Sequence, residues 1–268
     1  MTPAGSWAPG AEAMGARILY HLVAPLDVVV GPDEPERRRA FLAERADPRT
    51  RVEVRTPRRG RSAIEGAWDA ALVAPHLIDG IRAAEAEGFD AAVIGCFSDP
   101  ALDAAREAVA IPVVGPGAAA VHLALQLGDR IGIVAPGRGA PGRTRAFLRA
   151  MGQERHLASV RGMGASVTDL ARGSGDPLEP IARAACACVE DGADVLVLGC
   201  MSMAFSDPTP ALTARLGVPV VNPVVAALKT AETLAAHGLA HSRSRWPEAR
   251  DRPMTETRTI PEQRGARA

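Results

Sequence analysis

Two stretches of this chain repeat one another in order, and that repeat constrains the fold more than any other feature. Gly88-Phe89-Asp90, the apolar run Ala91 to Gly95 and then Cys96 align with Gly192-Ala193-Asp194, Val195 to Gly199 and Cys200 at a constant offset of 104 residues. Further on, Ile111-Pro112-Val113-Val114 matches Val218-Pro219-Val220-Val221 at an offset of 107. Upstream, Arg17-Ile18 through Val23-Ala24-Pro25 is echoed by Arg130-Ile131 through Val134-Ala135-Pro136. Each half therefore opens with one strand and carries a cysteine at the end of a later one. Duplicated halves commonly pack about a pseudo-two-fold axis, which would bring the two cysteines together from opposite sides.

Short apolar runs alternate with Ala-rich helical stretches, a pattern of βαβ units and parallel sheet. Strands are expected at Ile18 to Val23, Val52 to Val54, Ala91 to Gly95, Val113 to Gly115, Ile131 to Val134, Val195 to Gly199 and Val220 to Val221. Helices are expected at Arg37 to Glu44, Ala63 to Gly88, Ala101 to Val109, Ala118 to Leu127, Pro177 to Asp191, Pro210 to Leu216 and Val224 to His237. Pro75 should kink or divide the second of these. The fold class is thus α/β, with two similar parallel-sheet lobes and the active site between them.

At 268 residues there is room for two modest cores. One lobe, 16–128, carries Cys96, and 129–223 carries Cys200. A C-terminal helix at 224–241 follows, and its 224–238 part can cross back onto the first lobe. Residues 1–15, rich in Ala, Gly and Pro, and 242–268, dense in Arg, Pro, Glu and Thr, are expected to be disordered extensions.

Thirty-one basic residues balance thirty-one acidic ones, so no overall field gathers nucleic acid or an anionic membrane. No apolar run reaches membrane-spanning length, and the start has neither the basic nor the apolar region of a signal peptide. A cytoplasmic protein with a small-molecule substrate is the expectation. The four cysteines should then be free thiols.

Ligands of open α/β sheets sit beyond the carboxyl ends of the strands, where both Cys96 and Cys200 fall. Loop N–H groups and a following helix dipole should favour thiolate there and lower the pKa towards neutrality. Interconverting mirror-image substrates requires one group to take a proton from one face and another to return it on the other. Two like thiols related by symmetry meet that need, and loop N–H groups would steady the enolate-like intermediate. Phe97, Ser98, Met201 and Ser202, beside the cysteines, and His21, on the first strand, are the candidate substrate contacts.

Other motifs carry less. Cys186 and Cys188 lie in a helical pattern and point in different directions, so they read as packing residues, and no Cys/His cluster completes a zinc site. Gly137 to Gly142 matches G-x-G-x-x-G, but Pro141 disturbs the turn and no acidic ribose ligand follows, so the string reads as a flexible loop. Asp99 and Asp207 recur in Ser-Asp-Pro triplets at an offset of 108 and suit capping or turn formation. Arg58-Arg59-Gly60-Arg61 reads as a solvated loop.

Gly95-Cys96-Phe97-Ser98-Asp99-Pro100, with Ala101 to Glu107 and Ile111-Pro112-Val113-Val114-Gly115, resembles the first cysteine motif of the aspartate/glutamate racemase superfamily, in its hydantoin racemase branch. Leu198-Gly199-Cys200-Met201-Ser202-Met203 resembles the second, and the similarity runs from about Arg17 to His237. The resemblance implies Rossmann-like lobes, a cysteine acid/base pair, no metal or organic cofactor, a homo-oligomer, and an amino acid or 5-substituted hydantoin as substrate. At Met201, Ala63, Ala118 and His21 to Pro25 the chain departs from residues common in the family, which touches the substrate contacts and leaves the cysteine pair intact. Similar folds also serve maleate isomerases and arylmalonate decarboxylases, and a non-catalytic small-molecule-binding relative is the remaining alternative.

Overall fold

The computed structural model describes residues 15–250 apart from 138, 174 and 175. The first lobe runs β1 (Arg17–Leu22), α1 (Leu26–Val29), α2 (Glu34–Arg45), β2 (Arg51–Arg55), α3 (Ala67–Ala86), β3 (Ala91–Gly95), α4 (Leu102–Ala108), β4 (Val113–Val114) and α5 (Pro116–Ala124). The second runs β5 (Ile131–Ala135), α6 (Ala140–Ala150), β6 (Leu157–Gly162), α7 (Val167–Arg172), α8 (Leu178–Glu190), β7 (Val195–Leu198), α9 (Met201–Ala204), α10 (Thr209–Leu216), β8 (Val220–Val221) and α11 (Pro223–Ala236).

Two four-stranded sheets result, ordered β2-β1-β3-β4 and β6-β5-β7-β8, and every pairing is parallel. The internal repeat is therefore a repeat of topology. The central strands β3 and β7 are buried along their whole length, as continuous apolar runs covered on both faces must be. Because side chains alternate along a strand, Ile18, Tyr20 and Leu22 of β1 face the core that joins the lobes. Leu19 and Val23 face the other way, under α3.

The lobes exchange helices. α5, which follows β4 of the first sheet, packs against β7 and β8 of the second, and α11, which follows β8, packs against β3 and β4 of the first. α5 and α11 also pack on each other, which gives one continuous apolar core from lobe to lobe. The entry to each crossing helix is tied down. Asp99 accepts hydrogen bonds from the N–H groups of Gly117 (2.9 Å) and Ala118 (2.8 Å) at the start of α5. Asn222 accepts from Val224 and Val225 at the start of α11, while its Nδ2 donates to the Ala204 carbonyl and to Asp207.

Several expectations need correction. β6, α6 and α7 were not anticipated. β6 is a half-exposed edge strand without the apolar run that marks the buried ones. The glycine string runs into α6, with Ala140, Pro141 and Gly142 in its first helical turn, where a missing N–H costs nothing; residue 138 within the string lies outside the described residues. Pro75 does not divide α3, which is one helix through it; Ala71 and Pro75 lie on its exposed face, where water can meet the released carbonyl.

The disordered tail expected from Ser242 does not hold for 242–250. Val113 donates its N–H to His241 Nε2 (2.7 Å), Trp246 Nε1 donates to Asp103 (2.9 Å), and Arg106 stacks over the Trp246 ring at 4.7 Å. One aromatic anchor in an otherwise Arg- and Pro-rich segment fastens it to α4 and the β4 edge. The expected extensions at 1–14 and 251–268 lie outside the described residues.

Asn222→Ala removes the cap of α11 and leaves the Ala204 carbonyl and two N–H groups without their partner. The loss should be about 2 kcal/mol of unfolding free energy, read as a lower urea midpoint with unchanged slope.

Candidate active site

The carboxyl ends of β3 and β7 face a cavity of about 370 Å³ between the lobes, and Cys96 and Cys200 both line it. That volume lies within the range of small-ligand sites. The first lobe contributes Leu22 to Leu26, Arg38, the Ser62 to Ala70 segment and Gly95 to Ser98, while the second contributes α6, α7 and Gly199 to Ser202. Most of these groups are apolar. Phe97 packs on Phe147 of α6 with ring centres 5.9 Å apart, so the wall crosses the lobe boundary. Gly117 sits where any Cβ would strike the Phe97 carbonyl, and only glycine lets α5 approach so closely.

Cys96 is partly buried, with its sulfur 3.3 Å from Ser98 Oγ. Burial pushes its thiol up to about 11, with Asp99 and Cys200 adding to the rise and hydrogen bonds from Ser98 opposing it. Cys200 is buried at the N-terminus of α9. Its thiol is also raised, by burial first; the N–H groups of Met203 and Ser202 and the Arg38 charge work against the rise. The sequence-based expectation of lowered thiol pKa values is therefore overturned. Donors do point at both sulfurs, but desolvation outweighs them.

Of the candidate substrate contacts, Phe97, Ser98, Met201 and Ser202 all line the cavity. His21 does not. Its ring packs against Gly80 of α3, where a Cβ would lie 2.0 Å from Nε2, and Nδ1 lies 2.7 Å from the Leu22 carbonyl. Burial lowers its pKa to about 4. It is a neutral, hydrogen-bonded residue on the outer face of β1, opposite to the face that Tyr20 and Leu22 present.

Arg58, Arg59 and Arg61 are exposed, with Arg61 paired to Asp69 at 2.8 Å. Cys188 faces the core and Cys186 the solvent, as their helix requires. Among the described residues no cluster of three or more His, Cys, Asp or Glu could hold a metal, and no helix is long and apolar enough to cross a membrane.

Sequence reasoning missed three features of this wall and of the residues packed behind it. Arg38 of α2 is buried and hydrogen-bonded to Glu34 (2.6 Å) and Ser202 (3.3 Å). Tyr20 of β1 is buried close enough to Arg38, Cys96 and Cys200 for their charges to act on it, and its hydroxyl has no partner among the described residues. α6 supplies Arg143, Thr144 and Phe147. A stripe of Ala140, Thr144, Phe147 and Leu148 at helical spacing was the available signal for α6; nothing in the α2 sequence marks Arg38 apart from its neighbours.

Two like parallel-sheet lobes thus each present a cysteine from the same strand end to one shared cavity. The chain belongs to the Asp/Glu/hydantoin racemase family, whose sequence model matches residues 37–231. The hydantoin racemase of Paenarthrobacter aurescens is 37% identical over 198 residues, 73% of this chain and 83% of that one. The hydantoin racemase of Rhizobium meliloti is 36% identical over 198 residues, 72% and 80% of the two chains. Among solved structures, the allantoin racemase from Klebsiella pneumoniae superposes with a TM-score of 0.81 at 33% identity, covering 90% of this chain and 97% of its own. A glutamate racemase from Francisella tularensis, 17% identical with a TM-score of 0.60, shares the fold.

Asp99 yields a stability prediction. Burial raises its carboxyl to about 7 against the two N–H groups it accepts. Between its unfolded value of about 3.9 and that folded value, the folded state holds the extra proton. Its contribution to stability is therefore full at low pH and lost as the pH rises from about 4 to about 7. Denaturant titrations at pH 5 and pH 8 should show a larger fall for the native chain than for Asp99→Asn, which cannot ionise.

Proposed function

We propose that this protein is a cofactor-independent racemase or epimerase in which Cys96 and Cys200 form the acid/base pair, acting on an amino acid or hydantoin-type substrate at a carbon next to a carbonyl. The observation that carries the reading is that both thiols line the same small cavity from matched strand ends. The names of the similar hydantoin and allantoin racemases support the substrate class.

In one direction the thiolate of one cysteine takes the proton from the substrate carbon, and the electron pair moves onto the neighbouring carbonyl oxygen. The thiol of the other cysteine then delivers its proton to the opposite face. The pair ends with its protonation exchanged, and the reverse reaction restores it. N–H groups in the loops after each cysteine are the donors that would hold the developing oxyanion. A cavity with apolar walls removes water that would otherwise compete for these bonds and quench the carbanion.

Either Cys96→Ser or Cys200→Ser should lower racemisation by at least about 100-fold. The assay is α-proton exchange with deuterated water by NMR, run over a panel of hydantoins and free amino acids against the spontaneous rate. Ordinary exchange in both variants would sink the two-thiol assignment.

A second outcome follows from the raised thiols. The reactive form needs one thiolate and one thiol, and near neutrality both groups are mostly protonated in the empty site. The kcat/KM of exchange should climb between pH 7 and 8 by close to tenfold, about the change in thiolate fraction per unit. A profile flat from pH 6 to 9 would show that a thiolate in free enzyme is not the base.

A further inference from the structure

Arg38 stands out as a buried charged group in a mostly apolar cavity wall. It is 2% exposed and held in place on three sides. Its Nε donates to Glu34 Oε1 at 2.6 Å and its Nη2 to Ser202 Oγ at 3.3 Å, and its guanidinium lies 4.5 Å over the Phe205 ring. Glu34 is not a private counter-ion. Arg37 also takes it in a fork, at 2.7 and 2.8 Å, so the cluster of two guanidinium groups and one carboxylate carries a net positive charge.

The hydrogen bonds of Arg38 to described residues use Nε and Nη2; Nη1 is left without an acceptor among them but is not sealed off as the Tyr20 hydroxyl is, and the residue lines the cavity. A buried cation without a full complement of acceptors is costly. The nearby groups do not supply the missing charge. Burial keeps the Cys200 thiol protonated near neutrality. Glu65, the acidic group whose charge reaches Cys200, is exposed and already accepts from the Val167 N–H at 3.0 Å. Arg143, the other cation of the wall, is exposed and adds positive charge.

We propose that Arg38 is a specificity-determining residue that binds an anionic group of the substrate, a carboxylate, on the Cys200 side of the cavity. The proposal rests on the racemase reading and narrows it. A planar guanidinium with free N–H donors fits a carboxylate and pairs with it through charge-assisted bonds. Its rigid mounting means that little side-chain entropy is lost when the anion arrives. A neutral substituent at the same place would leave the cation as exposed to apolar surroundings as before. The carboxylate could be the α-carboxylate of a free amino acid or a substituent on a ring, and the two sources are separable.

The test is α-proton exchange in deuterated water with 5-(carboxymethyl)hydantoin and its neutral isostere 5-(carbamoylmethyl)hydantoin, together with free aspartate and asparagine. Native protein, Arg38→Met and Arg38→Lys are compared, with thermal melts to show that each is folded. The native protein should favour a carboxylate substrate over its neutral counterpart by at least about tenfold in kcat/KM. Arg38→Met should raise KM for the carboxylate compound by a similar factor without raising it for the neutral hydantoin, while kcat falls for both alike because the charge that favours the Cys200 thiolate is lost. Arg38→Lys should recover part of the loss. Dependence on Arg38 for carboxymethylhydantoin identifies a ring substituent, whereas equal dependence for aspartate and asparagine identifies the α-carboxylate; either supports the proposal.

Equal use of the two hydantoins by the native protein, with no preference for the free amino acids over the neutral hydantoin, overturns it, even if Arg38→Met fails to fold. So does a loss of kcat/KM in Arg38→Met that is of one size for all four compounds, the neutral hydantoin included. Absence of exchange with every compound, alongside thermal-shift binding of 5-(carboxymethyl)hydantoin that disappears in Arg38→Lys and Arg38→Met, would instead remove the racemase reading and retain the anion site.

Discussion

The reciprocal exchange of α5 and α11 is the constraint on which the rest of the structure depends. A parallel sheet needs both faces covered, and here each lobe covers part of the other's sheet with its own last helix. Separating the lobes would expose both sheets at once, so the cleft between them is held by the same burial that holds each core. The cysteine loops inherit that rigidity. Asp99, three residues beyond Cys96, grips the first turn of α5. Asn222 grips α11 and reaches back to Ala204 at the end of the helix that Cys200 begins. Each cysteine loop is thus tied to a crossing helix, and the distance between the thiols is a property of the whole fold.

The two lobes are alike in topology and unlike in electrostatics. Asp99 lies near Cys96 and opposes its ionisation, whereas Arg38 lies near Cys200 and favours it. The difference traces to local insertions on a common frame. In the second lobe the Ser-Asp-Pro triplet is displaced relative to the cysteine by four residues, the length of α9. Asp207 consequently sits away from Cys200 and pairs with Arg45 at 2.7 Å and with Asn222. Both triplet aspartates keep the same left-handed backbone, with φ of 48° and 45°. The turn is shared, and only its distance from the sulfur has changed.

What the sequence disclosed follows from how each feature is encoded. The buried strands β1, β3, β5 and β7 and the cysteines at the ends of β3 and β7 were legible because a strand covered on both faces must be apolar throughout, and because the pattern occurs twice. β6 escaped because an edge strand needs no such run. His21 was placed on the wrong side because a strand reverses its face at every residue; membership of β1 does not decide orientation, which is set by the register that puts Tyr20 and Leu22 inward. The expected fall in thiol pKa failed for a similar reason. Strand-end position and loop donors can be read from sequence, but the depth of burial that outweighs them arises only when elements of both lobes close over the site.

Arg38 shows the same limit from the opposite side. On α2 it sits among three consecutive arginines, Arg37 to Arg39, with Glu34 and Glu36 three or four residues before them, an arrangement that reads as a solvated helix face. Two of the three behave accordingly, Arg39 pairing with Glu36 in solvent and Arg37 lying half exposed. Helical rotation of about 100° per residue turns the middle one inward, where Phe205 from the second lobe stacks on it and Ser202 accepts its hydrogen bond. Its burial is therefore created by tertiary contact with α9 and the residue that follows it, the same short helix that Cys200 opens. A cation placed there by packing from the opposite lobe can distinguish substrates only when the lobes are assembled, so recognition and the joining of the two halves depend on one set of contacts.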